Sequence, residues 1–133
     1  QKNGTYPVAV TPGNIPELNG AVVFSEACYG GYSINKSIDE SMVLSFLDNG
    51  VRCFVGSTTI AYGPPEPPPR EADLLAFLFF KEILKGEKFG IALMKAKQEF
   101  FRIMLDEQGF VDGNDRKTLL QFLLYGNPDG ILL

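Results

Sequence analysis

Ala21-Val22-Val23-Phe24-Ser25-Glu26-Ala27-Cys28-Tyr29-Gly30-Gly31 is an apolar run that ends in a cysteine and two glycines. With no polar alternation along Ala21 to Phe24, it predicts a strand buried on both faces, whose end delivers a thiol to the edge of a sheet. The two glycines let the backbone turn sharply there and approach another group without a Cβ in the way. Downstream, Ser37 to Glu40 suit a helix cap and first turn, and Met42, Val43, Phe46 and Leu47 follow at helical spacing. Asn49-Gly50 then closes the helix as a left-handed C-cap does. Val51 to Val55, bounded by Gly50 and by Gly56-Ser57-Thr58-Thr59, is a second strand by length and by β-branched and aromatic content.

Strand, helix, strand is a βαβ unit, which makes the two strands parallel and brings their carboxyl ends side by side. Cys28 and Ser57-Thr58 then share one end of the sheet, where open α/β sheets place their ligand crevice. The fold class is therefore α/β. Residues 1–20, rich in Gly, Pro and Asn, form an entry segment with a short extended candidate at Tyr6 to Val10 and a breaker cluster at Thr11 to Asn14. Residues 21–133 form the single compact body.

Tyr62-Gly63-Pro64-Pro65-Glu66-Pro67-Pro68-Pro69 excludes helix and central strand, because each proline removes a donor and favours extended geometry. It reads as a stiff loop beside the crevice rather than as a ligand for a proline-binding module. Two helices follow, about 71–85 and 89–108, separated by Gly86. The second carries Phe89, Leu93, Ala96, Phe100 and Ile103 on one stripe. The first is apolar around most of its circumference and therefore calls for cover on more than one side. Residues 109–115 read as a polar loop, 117–125 fit either helix or strand with helix preferred, and Gly126-Asn127-Pro128-Asp129 reads as a turn.

Composition narrows the function. The 133 residues are 45% hydrophobic with a formal net charge of −4 and a pI near 4.8, which suits one soluble domain. Without a Lys/Arg run there is no electrostatic footprint for nucleic acid. No stretch reaches the roughly 18 to 20 consecutive apolar residues that span a bilayer, so no membrane partner is expected. Two cysteines, Cys28 and Cys53, make neither a disulfide framework nor a zinc pair. No metal site or other cofactor is expected; the loop carboxylates leave structural calcium open, without a spaced ligand motif behind it. The chain contains no histidine at all, so thiol catalysis needs a base from outside it.

Several residues carry two readings. Cys28 is either inert strand-end packing or a nucleophile, and its small and glycine neighbours favour the second. Cys53, within a strand, is core. Glu26 either orients the loop by accepting backbone N–H bonds or is a solvated strand-end carboxylate. Ser57-Thr58 either line a pocket or simply end a strand. A cysteine phosphatase would need Arg where Ile34 stands, and no Lys follows Gly30-Gly31 as a nucleotide P-loop would require.

The order of these pieces resembles the gingipain-type cysteine peptidases, which have the caspase-like fold. The matching pieces are the strand into Glu26-Ala27-Cys28-Tyr29-Gly30-Gly31, then Phe54-Val55-Gly56-Ser57-Thr58 with Tyr62-Gly63, an acidic-led helix, and Leu124-Tyr125-Gly126-Asn127-Pro128-Asp129. The similarity covers about residues 17–133 and departs from the family at Gly-Asn-Pro, where Gly-Asp-Pro is usual, and in the missing histidine. The resemblance implies the C-terminal part of a peptidase domain: a partial parallel sheet flanked by helices, an incomplete three-layer α/β/α sandwich.

It further implies that Cys28 attacks a peptide carbonyl to form a thioester, with its own backbone N–H as one oxyanion donor. Glu26 and Gly30 would orient the site, and Ser57, Thr58 and Tyr62 would line the pocket for the residue before the scissile bond. The partners implied are a peptide or protein substrate and an upstream His-bearing segment or chain, without which this chain is inactive; the setting favoured is secreted or cell-surface. The competing expectation is a non-catalytic interaction or scaffold domain, with helix 71–85 as interface and a possible homo-oligomer. A redox-sensing thiol is a third.

Overall fold

The computed structural model describes residues 8–64 and 66–132. It is a mixed α/β unit with strands β1 (Val22–Ser25), β2 (Cys53–Ser57) and β3 (Phe122–Gly126) and helices α1 (Met42–Asp48), α2 (Glu71–Ile83), α3 (Phe89–Gln108) and α4 (Gly113–Gln121). The strand order is β1-β2-β3, with β1 parallel and β3 antiparallel to the central β2. The predicted βαβ unit is thus present.

Strand residues alternate between two cores, as the pleat dictates. Val22, Phe24, Cys53 and Val55 pack with α2 and α3, whereas Val23, Val51 and Phe54 pack with α1. Helices therefore cover both faces of the sheet. Phe24 stacks on Phe122 at 5.2 Å and meets Phe79 of α2 at 5.8 Å, which locks β1 and β3 onto the larger core. Every residue of β2 is buried. β1 is covered on both faces yet only half-buried, because its outer edge has no neighbouring strand among the described residues.

Four expectations need correction. Residues 117–125 do not form one helix: α4 ends at Gln121 and the chain turns directly into β3. Phe122 to Tyr125 follow the apolar strand pattern and gain the open flank of β2, a tertiary reward that local periodicity cannot register. The polar loop is shorter than 109–115, because Asp112 caps α4, accepting from the N–H groups of Asn114 and Asp115. The helix expected from Ser37 is split: Ser37 and Glu40 close a 3-10 turn on themselves, and extended Ser41 separates it from α1. Ser41 is buried, with its hydroxyl bonded to the Tyr32 carbonyl at 2.9 Å. The second strand begins and ends two residues later than 51–55, so Gly56 and Ser57 belong to it.

Helix α3 spans 89–108 as expected, ending in left-handed Gly109. Gly50 has φ +88° and closes α1 as predicted. Of the extended candidate at Tyr6 to Val10, residues 6 and 7 lie outside the described residues, and residues 8–10 take no regular structure. No helix among the described residues is long and apolar enough to cross a membrane.

Candidate functional site

Cys28 sits in the turn that follows β1 and is solvent-exposed. Its thiol donates to the Ala61 carbonyl at 3.5 Å, in the segment that follows β2. The register pairs Ser25 with Gly56, so the two loops leave the same end of the parallel pair. Two backbone bonds fasten them: Tyr29 N–H to the Thr59 carbonyl at 2.8 Å, and Gly31 N–H to the Ser57 carbonyl at 2.8 Å. No acceptor for the Cys28 N–H occurs among the described residues.

The glycines are explained by a backbone crossing. A Cβ on Gly31 would lie 2.7 Å from the Gly56 carbonyl oxygen, and one on Gly56 would lie 2.9 Å from the Gly31 nitrogen. A Cβ on Gly30 would meet the Ser25 hydroxyl at 2.3 Å. Gly30 and Gly31 therefore let the Cys28 loop lie flat on the end of β2, and Tyr29 takes the left-handed conformation instead, at φ +58°. Such a backbone in a non-glycine residue costs on the order of 1 kcal/mol or more and persists only where its surroundings hold it. Tyr32 packs edge-on against Tyr29 at 6.0 Å, and the Tyr125 hydroxyl of β3 donates to the Gly31 carbonyl at 2.6 Å.

Glu26, exposed beyond β1, faces Asp73 in the first turn of α2. Partial burial, followed by the hydrogen bond and charge of Asp73, raises its pKa above the ordinary carboxylate value. The Glu26 carboxyl thus comes near the Asp73 carboxylate at the start of α2, with Gly63 leaving the room: a Cβ there would lie 2.7 Å from Asp73 Oδ1.

The expected pocket residues separate. Ser57 is fully buried, its hydroxyl donating to the Thr59 carbonyl at 2.8 Å. Thr58 faces α4, its N–H and hydroxyl both directed at the Gln121 carbonyl. Tyr62 is exposed and adjoins Ala61, with Lys117 of α4 held 4.4 Å above its ring. Cys28, Glu26, Gly30 and the Tyr62 segment are thus gathered at one end of the sheet, whereas Ser57 and Thr58 face inward and toward α4. On the α1 side, a concavity of about 360 Å³ runs from Cys28 and Ala27 along Val23 and Phe24 to Met42 and Phe46.

Sequence reasoning missed Ala61, Asp73 and Tyr125. Asp73 carried a signal as an acid opening a helix, but its partner is 47 residues away in sequence. Cys53 is buried in the core as expected, and burial pushes its thiol up to about 12, which leaves it inert. No cluster of His, Cys, Asp and Glu able to hold a metal ion occurs among the described residues. Neither a protein-family model, nor a curated protein, nor a solved structure matches this chain.

Proposed function

We propose that the chain is the nucleophile-bearing part of a cysteine endopeptidase with a caspase-like, gingipain-type fold. The observation that carries this reading is the Cys28 loop: an exposed thiol and an N–H with no acceptor among the described residues, at the carboxyl end of a parallel pair and held by two backbone bonds beside a strained Tyr29. Chemically, the Cys28 thiolate attacks a peptide carbonyl, the Cys28 N–H receives the developing oxyanion, and the amine leaves as the thioester forms. Water then hydrolyses the thioester. The base that takes the thiol proton and passes it to the leaving amine is a histidine from an upstream segment or another chain, supplied along the open edge of β1. In its absence the thiol donates to the Ala61 carbonyl.

The test compares peptide hydrolysis by this chain with that by a form extended upstream through a His-Gly strand. Thiol-dependent turnover in the extended form, lost in Cys28→Ala, supports the proposal; turnover equal in Cys28→Ala, or none in either form, removes it.

A second reading, a non-catalytic interaction domain, is favoured by the outer face of α2, where Phe77 and Leu84 are 60% and 73% exposed. It predicts association lost in Phe77→Asp with no thiol-dependent turnover in any form.

A further inference from the structure

Among the described residues the sheet ends at β3 in an unpaired edge. Antiparallel pairing alternates inward and outward backbone groups, and the Gln121 carbonyl is bonded to Thr58 N–H while Asn127 N–H is bonded to the Arg52 carbonyl. The odd residues of β3 therefore face β2, and the N–H and C=O groups of Phe122, Leu124 and Gly126 point outward. Along this edge, between β3 and α3, runs a groove of about 690 Å³ whose walls include Leu93, Met94, Phe101, Leu124 and Pro128. Its one charged wall residue is Lys97. The Lys97 ammonium donates to the Phe122 carbonyl at 2.8 Å, an outward group of this same edge, and no carboxylate pairs with it among the described residues.

We propose that the β3 edge and its groove bind an extended peptide segment of another protein, which adds a fourth strand and sets a carboxylate against Lys97. The ladder comes from the outward groups of Leu124 and Gly126, and alternate apolar side chains of the peptide enter the groove beside Met94 and Phe101. The carboxylate supplies what the half-buried ammonium lacks; burial lowers the Lys97 pKa, and an ion pair would reverse that. A second copy of this chain fits worse: two-fold pairing of β3 with β3 would bring a second unpaired Lys97 into the seam and no carboxylate. Since β1 and β3 are opposite edges of the sheet, this site is independent of the peptidase reading and of any strand that joins β1.

A displayed library of random decapeptides, selected on the full chain, tests the proposal. The expected winners alternate apolar residues around one Asp or Glu, and slow hydrogen exchange at the Leu124 and Gly126 amides. Lys97→Gln weakens a Glu-containing winner about tenfold, equivalent to about 1.4 kcal/mol, but leaves its Glu→Gln analogue unchanged. Met94→Glu, on the exposed rim, abolishes selection while the melting temperature holds. The proposal is overturned by winners that ignore Lys97→Gln, by winners that leave those two amides unprotected, by no enrichment above the Met94→Glu chain, or by a concentration-dependent dimer that itself protects the edge.

Discussion

Replacing Gly31 by alanine probes the crossing that positions Cys28. The added Cβ would stand 2.7 Å from the Gly56 carbonyl oxygen, 2.9 Å from its carbon and 3.2 Å from Tyr125 Cε2. Two of these three atoms are backbone of the fully buried central strand, so relief must come from lifting the Cys28 loop. Lifting breaks the Gly31 N–H bond to Ser57 and the Tyr125 hydroxyl bond to Gly31. Each such bond contributes about 1 kcal/mol, and overpacking adds about 1 to 3 kcal/mol. The expected loss is thus about 3 to 5 kcal/mol of a total stability of about 5 to 15 kcal/mol. For a chain of this length that lowers the melting temperature by about 10 to 18 °C. Gly13→Ala is the control, since its Cβ would meet nothing within 4 Å. Thermal unfolding followed by circular dichroism reads both. A Gly31→Ala chain melting within about 2 °C of wild type, the range of a neutral surface change, would refute the crossing as described.

Further outcomes follow from the same loop. Tyr125→Phe leaves the Gly31 carbonyl without its hydroxyl donor and costs about 1 kcal/mol in urea unfolding; no change would mean that the bond is not made in solution. Glu26 has a raised pKa in the folded chain, so its protonated form is favoured by folding. Its contribution is fully present below the unfolded carboxyl pKa and is lost as pH rises through the folded one. Glu26→Gln should therefore be the more stable chain at neutral pH, the difference closing as melts are taken into the acid range; a gap independent of pH would contradict the partial burial and the Asp73 neighbour that raise the Glu26 pKa. In native chain, iodoacetamide should label Cys28 and leave Cys53 untouched until denaturant is added, as peptide mapping can read.

Much of this architecture is legible in sequence because local and global preferences agree. Val22 to Phe24 and Val51 to Val55 are β-branched and aromatic, Gly50 and Gly109 mark helix ends, and α3 carries a clean apolar stripe. β3 is only partly legible: the run 117–125 fits helix or strand, and Phe122 to Gly126 become a strand by completing β2. At the site, the spacing places Cys28 correctly at a shared strand end, but it cannot say which way side chains turn. Ser57 is drawn inward because strand β2 continues through it, and Thr58 is drawn to α4 by the Gln121 carbonyl. The glycines were readable as a requirement for close approach; that the approaching group is the backbone of Gly56 needed three dimensions.

The proposed peptidase function requires that a peptide substrate acylate Cys28. Its most direct measurement is an acid-quenched reaction of the upstream-extended chain with a peptide ester, followed by mass mapping of the two cysteines. The expected result is an acyl adduct on the Cys28 peptide that hydroxylamine removes, with none on Cys53 and none in Cys28→Ala. No adduct at Cys28, or an acyl group that persists in Cys28→Ala, would contradict it.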